Sequence, residues 1–287
     1  MEWTAIIFLG LNGLQYGMLL FLLAVGLSLM FGLMGVINLA HGFFFIFGGY
    51  VGVSTFQWTG SFLLSILAGA VAVGLLGLLS ERYLLRTIHG RHPEQVLLTF
   101  GMIFIFMDTT LWIWGPMPVR IPTPSAVDFV VSISGNPYPF YRLMIIVIAI
   151  IVAVILWWFQ EKTRWGAIVR AGVDDKEMTE GLGINISFVL TAVFALGASL
   201  AGFAGVMAAP VLGVYHGLAH SVLILSLAAI IVGGMGSLGG CLLMSLLFGL
   251  ADTFGKALWP GLAIFTIYAL VALVLILKPS GLFGRVI

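Results

Sequence analysis

Between residues 5 and 31 the chain carries no charged side chain, and apolar runs of similar character recur along its whole length. A helix needs roughly 20 apolar residues to cross a bilayer, because each residue adds only about 1.5 Å. Residues 62–79, 95–114, 143–159 and 188–211 meet or approach that length, and residues 43–56, 222–232, 241–251 and 264–277 form shorter runs. None shows the strict alternation of a barrel strand. Inside hydrocarbon every backbone polar group needs an internal partner, which leaves helices as the spanning element. The expected fold is therefore all-α: a polytopic transmembrane helical bundle with discontinuous helices, with residues 1–287 forming one membrane domain. Only 8% of the chain is charged, against about 25% in soluble domains. A formal net charge of +1 gives no case for nucleic acid, and Cys241, the single cysteine, excludes an internal disulfide or a cysteine-cluster metal site. The first residues lack a basic flank and a cleavage site, so the first run is expected to stay as a helix.

The few charges are concentrated. Arg82, Arg86 and Arg91 fall in a polar loop expected over residues 81–94. Lys162, Arg164, Arg170 and Lys176 mix with Asp174, Asp175, Glu177 and Glu180 in the longest polar interval, and Lys278 and Arg285 close the chain. Basic loops stay on the cytoplasmic side, so all three regions are expected there. An external N-terminus and a cytoplasmic C-terminus then require an odd number of crossings. Nine result if two short spans meet at residues 233–240; seven plus a re-entrant hairpin result if that stretch folds back. Residues 115–141, broken repeatedly by proline, read as an external loop without long helices. Asp108 sits near the outer end of its run, beside the interfacial pair Trp112 and Trp114.

Three stretches are candidates for function. Residues 164–183 are expected to form a short helix along the membrane surface, from Asp174 or Asp175 to Leu182. Asp174 would cap it with Glu177 as capping-box partner, and Gly181 and Gly183 would stop it. This is a docking surface for a soluble partner, offering Arg164, Arg170, Glu177 and Glu180; the alternative is a solvated loop that only sets topology. Asn38, His41 and Gly42, in GLMGVINLAHG, sit at an expected helix break. They would orient irregular backbone or meet a polar solute group, or His41 is a core histidine bonded to a carbonyl. Gly233, Gly234, Gly236, Gly239 and Gly240, with Ser237, form the second interruption, GGMGSLGG. Paired interruptions of this kind point to a translocation path in transporters. His216 and His220 have no acid nearby and do not read as a metal site, and Asp108 and Asp252 lie near expected helix ends. No catalytic constellation is present, so the chain is not read as an enzyme. No GxxxxGK[ST] phosphate loop exists: residues 249–257 place Phe254 where glycine is required and end Gly255-Lys256-Ala257.

Four stretches, in order, resemble the branched-chain amino acid permeases of LivH/LivM-type ABC importers, with the LivH-like subunit the nearer match. They are GLMGVINLAHGFFFIFGGY, the RAG…E…GLGI segment from Arg170, LAAIIVGGMGSLGG and KPSGLFG. The resemblance implies a permease subunit of an ATP-driven importer in the bacterial inner membrane, with residues 164–183 as its ATPase-coupling segment. It implies a translocation path for branched-chain or other small amino acids or related small solutes. It also implies a second permease subunit, LivM-like or another copy, two cytoplasmic ATPases that hold ATP and magnesium, and an external solute-binding protein. No cofactor is expected on this chain. A passive channel or an ion-coupled carrier remains the alternative from the residues alone, and urea, amides and aromatic acids would fit an apolar conduit as well as branched-chain amino acids.

Overall fold

The computed structural model describes residues 3–35, 38–279 and 281–283. In chain order the helices are α1 (Trp3–Met34), α2 (His41–Thr59), α3 (Phe62–Tyr83), α4 (His92–Trp114), α5 (Phe140–Lys162), α6 (Arg164–Asp174), α7 (Lys176–Gly181), α8 (Ile186–Leu212), α9 (His216–Gly233), α10 (Leu238–Leu258) and α11 (Ala263–Leu277). Among the described residues seven are long and apolar enough to cross a membrane: α1, α3, α4, α5, α8, α9 and α10. Both α9 and α10 are among them, in keeping with two spans that meet at residues 233–240.

α1 is apolar on every side, which requires burial by protein or lipid all round. It occupies the centre, where Leu22, Ala24 and Val25 are fully buried among α8, α9 and α10. Lipid offers no hydrophobic drive for helices to associate, so small residues that permit close backbone approach decide the packing. Gly17 on α1 meets the backbone of Ser245 and Leu246 on α10, and Gly26 meets Gly197 on α8. Gly205 on α8 faces the Phe45 carbonyl on α2, a site with no room for a Cβ. α3 closes the other side of α8, with Gly77 against Ala198 and Phe194. α4 and α5 stand outside this core and present apolar side chains such as Leu97, Phe104, Ile150 and Trp157 outward.

The two ends of the bundle differ. At one end Asn12 of α1 accepts hydrogen bonds from Tyr138 (3.0 Å) and Arg142 (2.5 Å), which anchors a hairpin of strands β1 (Val130–Ile133) and β2 (Asn136–Pro139). Its turn needs positive φ at Ser134 (51°) and Gly135 (82°), as two-residue hairpin turns do. Burial raises the Tyr138 hydroxyl above its ordinary pKa, with Arg142 partly opposing, and it remains a donor at neutral pH. The expected loop without long helices is thus a short β-hairpin flanked by irregular chain. The opposite end collects α6, α7, the α3–α4 connection, the α9–α10 turn and the tail.

Among the boundaries that depart from the sequence reading, two take polar residues into helices. α3 continues through residues 81–83, so Glu81 is a fully buried helix residue and not part of a polar loop. α9 starts at His216, six residues before the expected run, and takes in both His216 and His220. Arg285, used above to set topology, lies outside the described residues.

Replacing Gly205 by Val should destabilise the protein by about 3 kcal/mol or more, since overpacking against fixed backbone cannot be relieved by a side-chain rotation. Gly101→Val, where a Cβ meets nothing within 4 Å, should be close to neutral. Thermal unfolding in detergent distinguishes the two.

Candidate functional site

The polar segment between α5 and α8 forms two helices whose starts are set by local chemistry. Thr163 caps α6, its hydroxyl oxygen accepting from the Gly166 amide (3.1 Å). Only glycine fits at 166, where a Cβ would strike the carbonyls of Phe159 and Gln160. Arg170 then reaches back to donate to the Gln160 carbonyl and lies 3.8 Å from Glu161, stapling α6 to the end of α5. The cap of α7 is Asp175: its carboxylate accepts from the Met178 amide (2.9 Å). The expected cap, Asp174, closes α6 instead, and its side chain lies outside the described residues. With Asp175 as cap, the third helical position is Met178, so no capping box with Glu177 forms. Glu177 sits in the first turn of α7, where a carboxylate complements the helix dipole. Gly183, at φ 81°, turns the chain toward α8, whose cap is Asn185.

Arg164, Glu177, Glu180, Gly181 and Gly183 are exposed along this segment. Met178 (65% exposed) and Leu182 (74%) project beside them, one helical turn apart. The sequence reading gave neither of them a docking role, although their i, i+4 spacing among charges was the available signal. A rigid, capped helix bearing two acids and two exposed apolar side chains can seat in a cleft of a partner.

The second candidate region is deep. His41 is fully buried, and its Nε2 donates to the Leu23 carbonyl (3.1 Å). Leu23 lies about 16 Å before the end of α1 at roughly 1.5 Å per residue, so α2 begins well inside the bundle. The Asn38 carboxamide oxygen accepts from the Ala40 amide (3.0 Å) and stabilises the irregular chain that leads there. His41, at the first position of α2, is thus bonded to a carbonyl. Asn38 Nδ2 and His41 Nδ1 have no partner. Gly42 lies against Ala219 and Leu223 of α9, next to a small cleft shared by Leu39, Phe43, Ile103 and His220.

The glycine motif stands apart from that region. Gly233 and Gly240 pack back to back across the α9–α10 turn, Gly234 and Gly236 take positive φ (104° and 79°), and Ser237 caps α10. Gly236 meets Gly32 near the end of α1, and Gly239 has open space around it. Leu282 and Phe283 donate their amides to the Val232 and Gly233 carbonyls (2.8 and 3.1 Å), so the tail motif closes the end of α9. The two interruptions thus differ in kind: one is a re-entry, the other a turn at the charged end.

Asp252 pairs with Lys256 (2.6 Å) one turn away. Among the described residues no group of three or more His, Cys, Asp or Glu could hold a metal. Glu81 escaped the sequence reading; its carboxylate accepts from Thr191 of α8. An acid buried without partners would cost several kcal/mol, so this bond matters to the fold.

Residues 9–278 match the family model described as branched-chain amino acid transport system / permease component. The chain belongs to this family. It is 28% identical to the high-affinity branched-chain amino acid transport system permease protein BraD of Pseudomonas aeruginosa, over 96% of this chain and 94% of that protein. Identity to the corresponding LivH of Escherichia coli K12 is 27% over the same shares, and to a probable LivH of Methanocaldococcus jannaschii 24% over 83% and 77%. No solved structure matches the chain. The protein is a multi-pass membrane permease component of an ABC transport system and not an enzyme.

Asp175→Ala should loosen α7 by about 1 kcal/mol, read as a roughly fivefold rise in amide exchange at Met178. Asp175→Asn should restore protection, since asparagine caps equally well.

Proposed function

We propose that the permease is one membrane half of an ATP-driven importer in which residues 164–183 couple to a cytoplasmic ATPase. The observation that carries this reading is the capped helix α7, held by α6 and exposing Glu177, Met178, Glu180 and Leu182 together. Its place at the end that also holds Arg82, Arg86 and Arg91 supports a cytoplasmic position, with the hairpin and N-terminus outside and the tail inside. The membrane is the bacterial inner membrane. A second permease, LivM-like or another copy, completes the path; two ATPases bind ATP and magnesium; an external binding protein delivers the solute. The relatives named for branched-chain amino acid transport support that cargo, or another small amino acid of similar shape. Asn38 and His41, with unpaired polar atoms beside the cleft at Leu39 and His220, form the polar element along the path. The glycines of the α9–α10 turn permit its helices to approach and adjust.

Purification from native membranes tests the docking site. The parent protein should retain an ATPase, and Glu177→Lys with Glu180→Lys should lose it while keeping its thermal stability. Full retention by the double variant contradicts the docking assignment.

A further inference from the structure

We propose that Glu81 and Thr191 form the joint through which movement of residues 164–183 reaches the core of the bundle. This rests on the coupling reading above and extends it to two residues outside the docking surface. Glu81 lies one turn before the connection that leaves α3 and is fully buried. One carboxylate oxygen accepts from the Thr191 hydroxyl, and the other has no partner. Thr191 belongs to the second turn of α8, whose first turn receives α7 and packs Ile186 against Gly172 of α6. A displacement of α7, and of Gly172 on α6, therefore bears on this part of α8, while the rest of α6 rests on α5 and α1.

The chemistry of the joint is that of a releasable bond. A threonine hydroxyl has one proton to donate. Thr191 has two acceptors in reach, the Glu81 carboxylate on α3 and the Ser187 carbonyl of its own helix (2.9 Å). Donation to Glu81 ties α8 to α3; donation to Ser187 frees α8 while the hydroxyl stays satisfied. Glu81 is the group that loses in the second arrangement, and its unpartnered oxygen shows that its hydrogen-bonding capacity is already incomplete in the first. The rest of the α3–α8 contact has no such freedom, because Gly74 and Gly77 seat Ser199 and Ala198 with no space to spare. The polar pair thus controls the one end of an otherwise fixed interface at which the docking segment arrives. Thr191 and Glu81 are positioning residues: neither meets the solute.

The test uses the permease reconstituted with its ATPases, partner permease and binding protein, reading solute transported per ATP hydrolysed. Thr191→Val keeps the shape and removes the donor, and Thr191→Ser keeps the donor. Thr191→Val should lower the ratio at least about fivefold with the complex intact, and Thr191→Ser should stay within about twofold of the parent. Glu81→Gln, which keeps volume and one acceptor, should fall between them. An unchanged ratio in Thr191→Val, with transport and hydrolysis reduced together or not at all, overturns the joint and leaves a purely structural bond. A parent protein that transports with no ATPase present overturns the importer reading, and the joint with it.

Discussion

Backbone approach between α8 and its neighbours is the constraint on which the rest of the structure depends. Apolar surface alone cannot hold helices together in lipid, so the contacts of α8 with α1, α2 and α3 rest on residues without side chains to separate them. Gly26 against Gly197, Gly48 against Gly202 and Gly77 against Ala198 set those three helices around one axis. The bulk of Leu, Ile and Phe then fills the remaining volume, and α4 and α5 are free to face outward.

Once that core is fixed, polar groups have only a few acceptable places. At one end they anchor a β-hairpin through Asn12, Tyr138 and Arg142. At the other they build the capped helices α6 and α7 and the connections around them. Between the ends, some of the buried polar side chains are tied to backbone or to a neighbour on another helix. His41 on Leu23 holds a broken element at depth; Glu81 on Thr191 holds α3 to α8. The same scarcity of polar groups that makes the bundle compatible with lipid makes each of these bonds an individual determinant of its shape.

The helical bundle and its principal spans were legible because apolar run length reflects bilayer thickness directly. The re-entry at Asn38 was legible as a break, since two polar residues between glycines have no other place in such a chain. Its depth was not, because that depends on a bond from His41 to a residue far back along α1. Glu81 read as loop because charge normally marks a loop, and only the facing hydroxyl of Thr191, contributed by a distant helix, makes its burial tolerable. The glycine motif gave the right composition for either a turn or a re-entry; the tail amides that close α9 decide between them. In the docking segment the helix and its stops were visible, yet the cap shifted by one residue, from Asp174 to Asp175, because α6 extends through position 174.

We propose that the bundle sets α7 and its hairpin on opposite faces of the membrane, with α7 on the cytoplasmic side. Single cysteines at Glu177 and at Ser134, in a background with Cys241→Ala, test it most directly when sealed vesicles of each orientation are treated with a membrane-impermeant maleimide. The cysteine at 134 should react only in right-side-out vesicles and the one at 177 only in inside-out vesicles. Reaction of both from the same face, or of position 177 from outside, would contradict it.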